Sequence, residues 1–394
     1  MNLKVMLGFG LLAMSAAMAQ DSTAAAAPAP APATTTASSA APAGVFDGVR
    51  GSAFNSVGNE AAPSNIDDYL ARPNSFGGVQ MMYIEPAMER GLVSFGTDRT
   101  FFAMFDNSQN LGRLTLGMAN KGSWGLDIRL ALGQYHASND NGSDGFTEAG
   151  DDWGATFAMP MGGYTLAVSG DWLTNADEFN TDYDHQDETD QNYRDFTLNA
   201  NLTNAPSAGA YTWTIGADFD RHVNYTETGS KTLDENSDSY TKFAPYFNIG
   251  GQVLGNEKAH VFIGSNNSLP FVLFDGYDKN AAGAKVDEGL FEVGINVEPN
   301  IIGELAVTDN FLVFGEASYD WLVFGFADGT NEAKVDYTVL ESHSNAATAT
   351  AGVRYQKDNR YAVEFALGDE VFTGTHAIFN GNNTFVSFGG FLYF

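Results

Sequence analysis

Apolar and polar residues alternate with period two over most of this chain, from about residue 76 onward. This period is typical of β-strands whose two faces meet different surroundings. In the stretch 124–133, the even positions are Trp, Leu, Ile, Leu and Leu, whereas the odd positions include Asp127 and Arg129. The stretches 164–172 and 290–307 repeat the pattern. The alternation predicts an all-β protein.

Three features favour a transmembrane barrel over a soluble β-sandwich, which would also alternate. The polar face of the strands is rich in Gly, Ser and Thr and contains few Lys residues. Tyr164 and Trp172 stand on one apolar face, separated by roughly 20 Å along the barrel axis, close to the height of an apolar membrane band. Short turns such as 160–163 alternate with long polar loops such as 174–191, as in outer-membrane barrels.

The final strand carries a more specific signal. Residues 385–394 read Phe-Val-Ser-Phe-Gly-Gly-Phe-Leu-Tyr-Phe. This segment resembles the C-terminal strand of Gram-negative outer-membrane β-barrel proteins of the porin-like superfamily, and the resemblance covers 76–394 without pointing to a subfamily. It implies a place in the cell outer membrane, contact with outer-membrane lipid and lipopolysaccharide, and recognition by the barrel-assembly machinery. The implied assembly signal is Val386, Phe388, Leu392 and Phe394, with Gly390 departing from the apolar pattern.

The strand pattern and the resemblance together predict a transmembrane antiparallel up-and-down β-barrel of about fourteen strands, within a range of about twelve to sixteen. When the strands are counted back from Phe394, the fourteenth begins near residue 100. Segments 79–84 and 91–95 are two further candidates, which would raise the total to sixteen. We keep 290–307 as one strand because its alternation continues across Pro299.

The N-terminal quarter divides by composition. Residues 1–19 have a Lys, a short apolar core and an Ala-Met-Ala end, which predicts a secretory signal peptide. The Ala/Pro-rich segment 20–44 has nothing to bury, so we expect a disordered periplasmic segment. We expect 45–75 to form a short periplasmic or plug element, and 76–394 to form the barrel.

Composition excludes several classes of function. The 394 residues include 19 Lys+Arg against 49 Asp+Glu, a formal net charge of −30, and no Cys. Nucleic acid is not an expected partner, because phosphate binding needs a basic surface. The absence of Cys excludes disulfides, thiolate metal sites and a thiol nucleophile. No apolar run reaches the ~18–20 residues of a membrane-spanning helix.

The phase of the strands assigns an excess of acidic residues to the interior of the barrel. Such fixed charge concentrates cations in a narrow channel. We therefore predict a porin-like channel for ions and small hydrophilic solutes that prefers cations. The alternative is a non-conducting surface protein whose barrel anchors acidic outer loops. The predicted pore-lining residues are Asp127, Arg129, Asp171, Asp218, Glu292, Glu298, Glu304, Glu316, Asp320, Arg354 and Glu364.

Other chemistry has little support in the sequence. The stretch 140–151 partly matches a calcium loop, but a Gly stands where a ligand belongs and no flanking helices are predicted. The weak candidate ligands are Asp140, Asp144, Glu148 and Asp151. No Gly-x-Ser-x-Gly or paired-His motif appears, so we expect no enzymatic activity and no cofactor. Divalent cations and a homotrimer remain possible partners.

Overall fold

The computed structural model describes fifteen stretches of the chain. They are 44–52, 65–107, 112–138, 144–181, 189–204, 211–228, 233–235, 239–274, 277–279, 285–287, 291–328, 346–358, 360–373, 376–377 and 385–394. The predicted signal peptide (1–19) and nearly all of the Ala/Pro-rich segment lie outside the described residues.

β-strands dominate the described residues, and the helical turns lie near the N-terminus. Helix α1 is Ile66–Ala71, and two 3₁₀ turns follow at Pro73–Phe76 and Pro86–Met88. The strands are β1 (Met81–Glu85), β2 (Arg90–Phe95), β3 (Arg99–Asp106), β4 (Arg113–Asn120), β5 (Gly125–Ser138), β6 (Asp144–Met161), β7 (Tyr164–Thr181), β8 (Thr189–Asn204), β9 (Thr212–Thr228), β10 (Leu233–Glu235), β11 (Tyr240–Gly255), β12 (Ala259–Ser268), β13 (Phe271–Phe274), β14 (Tyr277–Lys279), β15 (Lys285–Asp287), β16 (Phe291–Thr308), β17 (Phe311–Asp328), β18 (Ala346–Lys357), β19 (Tyr361–Thr373), β20 (His376–Ala377) and β21 (Phe385–Tyr393).

The wall strands pair antiparallel with their neighbours and close into a barrel. The last strand, β21, pairs with the first, β1, with Met81 opposite Tyr393 and Ile84 opposite Gly390. Strands β12 and β13 form one wall position, because both pair with β11 and β16. Within the described residues, closure leaves no open edge in the wall, which satisfies the backbone hydrogen bonds of a wall that lies in lipid.

The predicted barrel class is correct, but the predicted number of about fourteen strands is wrong. Among the described residues, the closed wall has 16 strands. The two additional strands are β1 and β2, which have 5 and 6 residues and correspond to the candidate segments 79–84 and 91–95. Strands this short place only two or three side chains on each face, so their alternation is a weak signal.

Several strands also extend further than their alternation predicts. Strands β6 and β7 remain paired from Met161 opposite Tyr164 out to Asp144 opposite Thr181. The distal halves of both strands are rich in polar residues and do not alternate strictly. The backbone pairing therefore continues beyond the stretch that a period-two pattern predicts.

The outward face of the wall is apolar, and its aromatic residues occur near both ends. We call the two ends of the barrel the turn end, which holds the short connections, and the loop end. At the turn end, Phe95 contacts Phe101 with ring centroids 5.9 Å apart. Towards the loop end, Trp153 and Trp172 stack at 6.4 Å. This apolar band between aromatic belts is the outer surface of a membrane barrel.

A bulge in β17 changes which residues face outward. Before the bulge Trp321 is exposed, and after it Phe324 and Phe326 are exposed, so the outward phase moves from odd to even positions. The register shifts at this point, between Ile295 and Asn296 of the neighbouring strand β16. Bulges insert one unpaired residue and bend the strand locally.

The described residues contain no helix that is long and apolar enough to span a bilayer.

The membrane assignment predicts a strong dependence of stability on the depth of a new charge. Leu198 is 41% exposed near the middle of the outward band, whereas Leu254 is 66% exposed beside a short turn. We expect Leu198→Arg to lower the free energy of unfolding by about 2–4 kcal/mol, and Leu254→Arg by about 0–1 kcal/mol. Urea titrations of both variants folded into lipid vesicles measure the difference. Equal effects of the two substitutions would contradict the membrane depths assigned to Leu198 and Leu254.

Candidate functional site

The interior of the barrel holds part of the chain itself. Residues 44–52 and 65–79, which we call the luminal segment, pack against inward-facing side chains of the wall. Val45 joins an apolar cluster with Phe262, Ile302, Leu312, Phe314 and Ala366. Val49, Ile66 and Phe76 join a second cluster with residues of β1, β2, β3 and β21. These contacts hold the luminal segment against β1–β4, β12, β16, β17, β19 and β21.

A buried cluster of alternating charges fixes the first half of this segment. The guanidinium of Arg50 lies 3.1 Å from the Glu304 carboxylate and 3.9 Å from that of Glu364. Glu364 in turn pairs with Arg354 at 2.5 Å and accepts a hydrogen bond from the Gly51 backbone N–H at 2.7 Å. Each charge therefore has an opposite partner, which offsets the large cost of removing it from water.

The wall also binds the backbone of the segment directly. Arg354 donates to the carbonyl oxygens of Val49, at 3.0 Å, and Asp47, at 3.2 Å. The Gln356 side-chain amide donates to the carbonyl of Gly44 at 3.0 Å. The segment thus places its backbone acceptors on a donor surface of β18, as a buried peptide without its own secondary structure requires.

Burial changes the acid–base behaviour of two residues of the luminal segment. Burial lowers the pKa of Arg50, and the nearby Arg354 lowers it further, while Glu304 and Glu364 raise it. The two carboxylates thus offset part of the effect of burial on Arg50. Burial raises the pKa of the Tyr69 hydroxyl to about 12, so Tyr69 is neutral at physiological pH.

Helix α1 and the turn after it complete the segment. The Asn65 side chain and Asp68 cap the helix N-terminus reciprocally, in a capping box. Asp67 forms an ion pair with Arg90 of β2. The following turn lies directly on the wall, because a Cβ atom at Gly125 would collide with the backbone of Pro73 and Asn74. A glycine at this position of β5 is what allows the close approach.

The interior also contains a cavity of about 570 Å³. Asp68, Ala71 and Arg72 of the luminal segment form one boundary, and strands β8, β9, β11, β12, β16 and β17 form the other. The wall contributes mainly amides, hydroxyls and carboxylates. These residues are Asn199, Asn201, Thr203, Thr214, Asp218, Tyr246, Asn248, Asn266, Asn267, Ser268, Asn296, Glu298 and Asp320.

Part of the cavity wall is an ordered hydrogen-bond network. The Asn199 amide donates to the Asp218 carboxylate at 2.5 Å and to the Tyr246 hydroxyl at 3.0 Å. The side-chain amide of Asn201 donates to the side-chain oxygen Oδ1 of Asn199 at 2.9 Å. The ring of Tyr246 occupies the space above Gly216, where a Cβ atom would collide with it. These residues are held in fixed orientations before any solute arrives.

Asn296 differs from the other amides of the cavity. Its residue is 5% exposed, and among the described residues neither its amide nitrogen nor its amide oxygen has a hydrogen-bond partner. Leaving such a group unsatisfied costs roughly 1–3 kcal/mol.

The structure places the predicted pore-lining residues on inward faces, but separates them into groups. Arg129 contacts the carboxylates of Asp127 and Asp171 at 2.9 and 2.8 Å. Glu304, Arg354 and Glu364 belong to the buried cluster around Arg50. Glu292 and Glu316 lie outside the cavity lining, which leaves three predicted residues on the cavity: Asp218, Glu298 and Asp320.

Sequence reasoning missed the amides of the cavity and the role of Arg50. The amides follow the strand phase, as the spacing of Asn199 and Asn201 shows, so a search for polar uncharged residues at inward positions would have found them. Arg50 had no comparable signal, because its partners Glu304 and Glu364 are remote in sequence.

Three of the four weak calcium candidates, Asp144, Glu148 and Asp151, lie within strand β6. Asp140 lies outside the described residues. Among the described residues, no group of three or more acidic or His side chains is arranged to hold a metal ion.

The structure places the predicted assembly residues on one face. Val386, Phe388, Leu392 and Phe394 are 50, 44, 45 and 59% exposed. They alternate with buried Phe391 and Tyr393, so these four side chains form the outward face of the terminal strand.

Comparison with known proteins identifies no close relative. No family model matches the sequence, and no curated protein is similar to it. Among solved structures, CdiB from Acinetobacter baumannii aligns over 80% of this chain and 59% of its own, with 9% identity and a TM-score of 0.43. The chain thus spans less than two thirds of that protein.

Two further solved structures show a similar degree of likeness. The CymD monoaromatic hydrocarbon channel aligns over 82% of this chain and 92% of its own, with 9% identity and a TM-score of 0.40. BamA from Haemophilus ducreyi aligns over 80% and 69%, with 10% identity and a TM-score of 0.40. The placement of this chain in the outer membrane rests on its own closed wall, apolar outer face and polar interior.

The buried charge cluster predicts that Arg50 holds the luminal segment in place. Arg50→Met leaves the Glu304 carboxylate buried with a weakened set of partners, at a cost of about 3–5 kcal/mol. Because the chain has no Cys, V49C provides a single reactive thiol at a residue that is 1% exposed. We expect maleimide to label V49C at least tenfold faster when Arg50 is Met.

Two further variants control this experiment. Glu304→Gln, combined with Arg50→Met, removes the carboxylate that Arg50→Met leaves without its guanidinium partner. This double variant should therefore label more slowly than Arg50→Met alone. Arg72 pairs with Asp68 at 4.0 Å in a partly exposed position, so Arg72→Met should leave the labelling rate nearly unchanged. Equal labelling of all variants would show that the charge cluster does not hold the segment.

Proposed function

We propose that this outer-membrane barrel is a channel for passive diffusion of ions and small hydrophilic solutes, and that it prefers cations. The observation that carries the proposal is the polar cavity of about 570 Å³ beside the luminal segment. Barrels of 16–18 strands are wide enough for an aqueous passage. The permeant species pass between α1 and the amide-rich wall of β8–β17.

The charge around the cavity supports the preference for cations. Four carboxylates line the cavity, from Asp68, Asp218, Glu298 and Asp320, against one guanidinium, from Arg72. Fixed negative charge in a water-filled space bounded by protein raises the local concentration of cations and lowers that of anions.

The luminal segment sets the size of the permeant solute. It packs against β1–β4, β12, β16–β19 and β21 and borders the cavity, so passage is limited to that cavity. The volume of the cavity is in the range of small-molecule sites, roughly 300–1,000 Å³. The channel therefore passes ions and compact solutes and excludes larger ones.

A second candidate function is a non-conducting barrel that anchors acidic outer loops at the cell surface. The buried ion pairs of Arg50 favour this alternative, because they stabilise the luminal segment inside the barrel. In this case the cavity is a water-filled pocket without a through-passage.

Planar-bilayer recordings across a salt gradient test the channel and its selectivity. We expect a reversal potential with the sign that cation permeation produces. The reason is that carboxylates outnumber cationic side chains in the lining of the cavity. Asp320→Asn and Glu298→Gln should each shift this potential towards zero. Glu316→Gln is the matched control, because Glu316 is an inward acid on β17 that does not line the cavity.

The outcomes separate the two candidate functions. Conductance with anion preference, or an equal effect of all three substitutions, would overturn the assigned cation path. A folded barrel that never conducts would favour the anchor.

A further inference from the structure

We propose that the luminal cavity contains a binding subsite for a neutral polyhydroxylated solute, a small sugar or polyol, centred on Asn296. The proposal rests on the proposed channel and names a solute class for it. Asn296 lines the cavity and is 5% exposed. Among the described residues, both atoms of its side-chain amide lack a hydrogen-bond partner.

The two unused atoms of Asn296 define the chemistry of the ligand. The amide nitrogen Nδ2 needs an acceptor, and the amide oxygen Oδ1 needs a donor. A hydroxyl group supplies both functions, and vicinal hydroxyls supply them at a spacing that one planar amide can reach. A sugar or polyol therefore offers a partner to each of the two amide atoms of Asn296.

Ions satisfy the site less well. A cation coordinates to Oδ1 and to the carboxylate of Glu298, but it leaves the Nδ2 donor unpaired. An anion would accept from Nδ2, but it meets the carboxylates of Asp68, Asp218 and Asp320 around the same cavity. A neutral ligand with both donors and acceptors avoids each of these costs.

The rest of the wall offers further groups of the same kind. Asn266 donates to Glu298 at 3.2 Å, which orients both side chains beside Asn296. Asn199 and Asn201 lie in the fixed network with Tyr246. The ring of Tyr246 adds an aromatic surface on which the C–H face of a sugar can pack. Oriented amides, carboxylates and one aromatic ring together suit a compact polyhydroxylated molecule.

The backbone around Asn296 is irregular on both sides. On one side, Asn296 stands opposite Ser268, the last residue of β12, where the wall strand is interrupted before β13. On the other side, β17 bulges against it, between the partners of Ile295 and Asn296. Bulges often redirect a side chain next to a functional site.

Equilibrium binding and channel recordings together test the subsite. The probe is maltose, with the purified full chain in detergent for isothermal titration and in planar bilayers for ion current. We expect saturable binding by the unmodified protein, and interruption of the current by maltose. Asn296→Ala should weaken binding about tenfold, since it removes two hydrogen bonds of ordinary strength.

Two variants make the result specific. Asn300→Ala is the matched control, because Asn300 is a buried inward amide of the same strand that does not line the cavity. It should leave maltose binding unchanged. Asn296→Asp keeps the size and the acceptor but removes the donor, so it should weaken maltose binding, though less than Asn296→Ala does. A cation site would instead be strengthened by this acid.

The outcomes distinguish the subsite from the channel. Saturable maltose binding without any ion current would support the subsite and overturn the proposed channel. Ion current without maltose binding would support the channel and overturn the subsite. Equal loss of binding in Asn296→Ala and Asn300→Ala would also overturn the subsite, because it would show that the effect is not local to the cavity.

Discussion

The structure depends on one constraint, which is that every backbone N–H and C=O in contact with lipid must find a partner within the protein. Pairing of β21 with β1 meets it by closing the wall, with Met81 opposite Tyr393. Closure also decides what each face becomes. The outward side chains meet lipid and are apolar, whereas the inward ones enclose a space that a wall of this many strands cannot fill with its own side chains.

The chain fills part of that space with its own N-terminal residues. Because the luminal segment has little regular structure, its polar backbone groups must be satisfied by the wall, and Arg354 and Gln356 supply the donors. The same burial requires that Arg50 be paired, and the carboxylates of Glu304 and Glu364 meet this need. Three of the charges predicted to line the pore, Glu304, Arg354 and Glu364, therefore hold the luminal segment against the wall.

This partial filling gives the interior its functional character. Where the segment packs closely, as at Gly125, no space remains. The cavity that remains is lined by amides and a minority of the inward acids, including Asp218 and Asp320. The cavity is thus defined by what the luminal segment does not cover, and the proposed selectivity and solute class both follow from its remaining side chains.

The sequence alone determined the barrel class and the inward or outward direction of most wall residues, because side chains on a strand alternate strictly with period two. Asp127 and Phe388 therefore lie on the faces that their positions predict. Only the tertiary structure decided the closure through the short strand β1, the pairing of Arg50 with Glu304 across 254 residues, and the unsatisfied amide of Asn296. These features depend on contacts between residues remote in the chain, and no local periodicity records such contacts.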